Sequence, residues 1–136
     1  MNCGDILGNT WRLGRLLPDT QEDAVQDDVR VHPTTLNANE TFIGEFLSAS
    51  GTVLPDLLVN GRCFRDGIRH RIEFTRQHVG GLVTTFYSGR VTKVSTGEIL
   101  IRGRYNRNTT TLAGGPAAPT STVVTESGDY ETEKPT

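Results

Sequence analysis

No stretch of this sequence is long and apolar enough to cross a membrane as a helix. Cysteine is scarce: Cys3 and Cys63 are the only two, and they stand far apart. No CxxC, no HExxH and no close Cys/His cluster occurs, which argues against a structural zinc site and leaves no metal to propose. The G-x-S-x-G elbow of serine hydrolases is missing, and Gly80-Gly81 is followed by no Lys-Ser/Thr pair, so it is a turn and not a phosphate cradle. Aromatics are only 7% of the chain, with a single tryptophan, and no aromatic ladder is interleaved with the basic residues. With a pI near 5.9 this argues against nucleic-acid binding. The opening residues, MNCGDILGNTW, show no basic segment followed by an apolar one, so the expected address is cytoplasmic. In that setting the two cysteines are expected as reduced thiols.

What the chain has is glycine, 15 residues of it, and two-residue alternation. The stretch from Ile68 to Arg107 holds three alternating segments separated by short Gly-containing turns, the pattern of an antiparallel meander. Ile68, His70, Ile72 and Phe74 share one face of the first segment. Val83, Thr85, Tyr87, Gly89 and Val91 share a face of the second, and Ile99, Ile101, Gly103 and Tyr105 a face of the third. Upstream, Trp11 marks an opening strand. Val29 to Val31 forms a short strand ended by His32-Pro33. Thr41 to Leu47, TFIGEFL, alternates with Phe42, Gly44 and Phe46 on one side, and Leu57 to Phe64 follows. Asp66-Gly67 suits a two-residue hairpin turn. Residues 108–121 and 127–136 read as a flexible loop and tail, with a closing strand at 122–125.

These segments give seven or eight strands and no long amphipathic helix. The expected fold is all-β: one domain over residues 1–136, folded as a single antiparallel up-and-down barrel of about eight strands. A sandwich fits the count too, but the mid-strand glycines at 44, 61, 89 and 103 favour the bends of a barrel.

Charge is uneven although the net is only −2. Residues 19–45 carry seven acids and one base, and residues 56–107 carry ten bases and four acids. The acidic run 19–28 is expected as a loop or flap. The basic stretch is a solvated strand face, or a patch that meets an anion or an acidic segment. A flat barrel wall also suits a homodimer.

If the Tyr87 face lines the lumen, a phenol and the Thr85 hydroxyl project into an apolar interior. A ligand carbonyl or a neighbouring backbone group then satisfies the tyrosine. His70 shares the inward face of its strand, where a core histidine with a satisfied hydrogen bond competes with a general base.

The segment HRIEFTRQHVGGLVTTFYSGRVTKVSTGEILIRGRY resembles small bacterial calycin-like barrels, related in shape to allene oxide cyclases, that close polyketide rings by Diels–Alder cycloaddition. The resemblance rests on Arg71 to Phe74, Gly80 to Leu82 and the pair Phe86-Tyr87, and covers about a third of the chain. It implies a cofactor-free cyclase acting on an apolar substrate. Tyr87, which matches the family's lumen tyrosine, or Thr85 would bond an activating carbonyl. Trp11, Phe42, Phe74, His70 and Tyr105 would shape the wall.

GEFLSASG and TTFYSGRV also resemble avidin strands, with Ser48 where avidins place a biotin-contacting serine. Phe74 stands where avidins have a tryptophan, no second stacking tryptophan follows Trp11, and the final ligand-bonding aspartate has no counterpart. The second resemblance implies a barrel that binds a small molecule without chemistry.

Overall fold

The computed structural model describes Ile6 and residues 10–15, 30–48, 50–78, 81–93, 99–115 and 120–133. The expected acidic flap at 19–28 lies outside the described residues. Eight strands follow one another: β1 Trp11–Arg15, β2 Arg30–Leu36, β3 Thr41–Leu47, β4 Val53–Asp66, β5 Arg69–Gln77, β6 Val83–Lys93, β7 Ile99–Ala113 and β8 Thr120–Glu133. Each pairs antiparallel with the next, and β8 pairs back onto β1 through Leu13–Thr132 and Arg15–Tyr130. The barrel is closed, so its body has no sheet edge there.

Alternation decides what faces inward. Ile72 and Phe74 on β5, Thr85, Tyr87 and Val91 on β6, Ile101 and Tyr105 on β7, and Tyr130 and Thr132 on β8 are all buried. Because the ladders are in register, these side chains stack as layers. Phe74, Tyr87, Tyr105 and Gly128 form one layer, and Ile72, Gly89, Gly103 and Tyr130 form the next. Trp11, Val31, Phe42, Phe46 and Cys63 close the core from the opposite wall. Glycine and aromatic positions complement each other. A Cβ on Gly61 would lie 2.7 Å from the Phe42 ring, and one on Gly128 would lie 2.8 Å from Tyr105. The aromatic rings occupy the space those glycines leave.

The strands reach further than the hydrophobic pattern predicts. β2 runs through Pro33, with a register irregularity between Pro33 and Thr35 that accommodates the missing amide hydrogen. β7 takes in residues 108–113, where a loop was expected, and β8 contains the closing strand expected at 122–125 but runs from 120 to 133, into the expected tail. Tyr130 and Thr132 are buried in that supposed tail, and the Thr132 hydroxyl accepts from the Ile101 amide at 2.9 Å. The first hairpin of the meander turns on Gly67-Ile68 and not on Asp66-Gly67, because Asp66 is still in register with Arg69. Gly67 supplies the positive φ, 65°, of a type II′ turn, and Ile68 sits exposed at its tip and not on the inner face. Cys63 is disulfide-bonded, which overturns the expectation of reduced thiols. Cys3 is the only other cysteine in the sequence.

Candidate functional site

The inner surface changes character toward one end. Next to the aromatic layer, Arg76, Thr85, Arg107 and Glu126 lie in register on β5 to β8 and face inward. Arg76 is buried, its guanidinium carbon 5.6 Å from the centre of the Phe46 ring, within cation–π range. The Arg107 Nε donates to Thr85 Oγ1 at 3.4 Å, and its Nη1 stands 3.8 Å from Glu126 Oε2. Thr85 itself is fully buried. A polar row with two guanidiniums therefore lies directly against an aromatic bed.

The bed has defined geometry. Phe74 and Tyr87 stack with centroids 4.6 Å apart and 10° between planes. Tyr130 meets Tyr87 edge-on at 5.2 Å and Phe74 edge-on at 6.4 Å. Tyr105 lies tilted at 6.3 Å from Tyr87. The Tyr130 hydroxyl makes no hydrogen bond among the described residues, and it abuts Gly89, where a Cβ would come within 2.6 Å of it. Burial pushes the Tyr130 phenol well above the ordinary tyrosine range, the neighbouring Tyr87 adds to the rise, and Arg71 opposes it.

Several expected contacts converge. Tyr87, Phe74 and Tyr105 share the aromatic layer, Thr85 stands one layer away, and Trp11 and Phe42 belong to the same buried cluster. Two do not join them. His70 faces inward but four positions before Phe74 on β5, roughly 13 Å along the strand. Ser48 belongs to the β3–β4 turn, where its hydroxyl lies 2.9 Å from that of Ser50 and accepts from the Thr52 amide. Ser48 thus stands apart from the aromatic layer, in a turn whose amide its oxygen accepts from. Four inward residues went unanticipated: Arg76, Arg107, Glu126 and Tyr130. Strand parity would have found the first two, since Ile72 and Phe74 point Arg76 inward and Tyr105 does the same for Arg107. Among the described residues, no three His, Cys, Asp or Glu side chains come together to hold a metal.

A cleft of about 310 Å3 opens on the outer wall, lined by Glu73, Thr75, Phe86, Ser88, Arg104 and Asn106 together with Phe74 and Tyr87 of the strands behind it.

No family model matches the sequence. No curated protein matches it either. Solved structures do. The chain is similar to AVR2, at 13% identity over 94% of both chains with a TM-score of 0.61. It is similar to a low-affinity mutant of shwanavidin, at 15% identity over 93% of this chain and 92% of the other, with a TM-score of 0.54. It is also similar to a biotin-binding protein from chicken, at 15% identity over 93% and 94%, with a TM-score of 0.52. At these identities the likeness concerns the fold: an avidin-like, calycin-type up-and-down barrel. The resemblance to ring-closing cyclases finds no support among these neighbours.

Proposed function

We propose that this protein is a non-catalytic barrel that binds a small molecule through its interior, at the end where the polar row meets the aromatic layer. The observation that carries this reading is the in-register row Arg76, Thr85, Arg107 and Glu126, set directly against Phe74, Tyr87 and Tyr105. Guanidinium groups on a barrel's inner face cost desolvation energy that an aliphatic layer would avoid. An apolar wall with a few convergent polar groups is the usual chemistry of a small-molecule site. Eight-stranded barrels are also of a size to hold one small ligand. The ligand that fits is amphipathic, with a flat or apolar body against the stacked Phe74–Tyr87 pair and an acceptor toward Arg107 and Thr85. Avidin-like neighbours, one of them named as biotin-binding, support a binding role over a chemical one.

The interior offers the cyclase reading only an inward Tyr87 and Thr85, and recovery of the ligand unchanged separates the two readings. Binding is measured by titration with the ligand that co-purifies with the protein. Thr85→Val and Arg107→Gln are expected to weaken it about tenfold each, the cost of one lost hydrogen bond to a charged or buried partner. Unchanged affinity in both variants removes the polar row from the site.

A further inference from the structure

The outer wall carries a second feature that the interior does not explain. Phe64, Arg71, Arg90, Arg102 and Glu131 lie in one row across β4 to β8, each in register with the next. Three arginines therefore stand side by side on adjacent strands, spanning about 10 Å at the usual strand spacing. Like charges directly opposite in a sheet are destabilising. The neighbouring row shows how this wall otherwise arranges charge: Arg62 pairs with Glu73 at 3.0 Å and Arg104 with Asp129 at 3.0 Å. Among the described residues, only Arg102 of the arginine row has such a partner, Glu131 at 3.1 Å. Arg71 donates to the Ser88 hydroxyl. Arg90, exposed between the other two, makes no ion pair among the described residues.

The row borders the outer cleft. Phe86, 48% exposed, lines it together with the side-chain polar groups of Thr75, Ser88 and Asn106. Phe86 and Arg90 share the outer face of β6, four residues and roughly 14 Å apart.

We infer that this wall docks an extended acidic segment of another protein. Its carboxylates sit on Arg71, Arg90 and Arg102, and an apolar side chain about four residues away enters the cleft beside Phe86. Charge complementarity selects an anionic partner. The cleft's mixture of one exposed ring, hydroxyls, an amide and the ion-paired Glu73 and Arg104 suits a side chain with its peptide groups. A single exposed ring and a net charge of −2 suit a nucleic acid poorly.

The test uses the full chain and a fluorescein-labelled peptide with a pair of glutamates about four residues from a leucine, followed by anisotropy. Arg90→Glu places a carboxylate between two guanidiniums. It is expected to raise the melting temperature while weakening peptide binding at least about tenfold. Phe86→Ser is expected to weaken binding several-fold without lowering the melting temperature. The inference is overturned if wild type does not bind the peptide in physiological salt, or if either variant binds as wild type does. It is overturned equally if Arg90→Glu lowers the melting temperature, or if a sulfated oligosaccharide of equal charge binds more tightly than the peptide.

Discussion

Tyr130 is the residue at which packing and polarity conflict. Its ring fills the space beside Gly89 and meets Phe74 and Tyr87 edge-on, yet its hydroxyl finds no partner among the described residues. An unsatisfied buried hydroxyl costs about 1–3 kcal/mol. Tyr130→Phe is therefore expected to leave stability unchanged or raise it by up to about 1 kcal/mol, measured by urea denaturation. The same residue sets a pH dependence. Burial raises its folded-state value above the ordinary value of about 10, so the folded protein keeps the proton while the unfolded chain loses it. Its contribution is complete below about pH 10 and is lost as pH rises above that. Stability should fall in this alkaline range by up to about 1.4 kcal/mol per pH unit, and Tyr130→Phe should make the decline shallower by that amount. An equal decline in the variant would show that Tyr130 ionises as readily folded as unfolded.

At the scale of elements, β8 is the strand to test. It supplies Gly128, Tyr130 and Thr132 to the interior and closes the barrel onto β1. Gly128→Val places its Cβ against the Tyr105 ring and should cost about 1–3 kcal/mol by overpacking. A Gly115→Ala control meets open space and should be close to neutral. If the two variants melt together, β8 is not packed as described. β8 is also where the sequence is least legible. In ESGDYETE the inner face offers Glu126, Gly128, Tyr130 and Thr132, so the segment reads as polar although the last three are buried. β3 is the opposite case: Phe42 and Phe46 flank Gly44 in strict alternation, and its span Thr41–Leu47 is readable directly. The meander was legible for the same reason. In the candidate site, Tyr87, Phe74, Tyr105 and Thr85 follow from parity. The polar row was missed because arginine on a strand is ordinarily read as solvated, and its burial depends on closure by β8.

At the scale of the molecule, closure and the disulfide act together. Cys63 faces the core on β4, so its bond ties the wall to a distant part of the chain. A crosslink over so long a loop is worth about 2–4 kcal/mol. Cys63→Ser should lower stability by that amount, and the denatured wild-type protein from its native source should show no reactive thiol. One thiol per cysteine would place it in a reducing compartment instead. Closure also gives the barrel the inner surface on which the proposed binding role rests. Native mass spectrometry of the freshly isolated protein tests that role most directly. The account predicts a saturable small-molecule adduct that is released intact on denaturation and depleted in Arg107→Gln. Protein that carries no adduct and takes up none from an extract of its source would contradict a binding role, and release of a newly cyclised product would contradict a non-catalytic one.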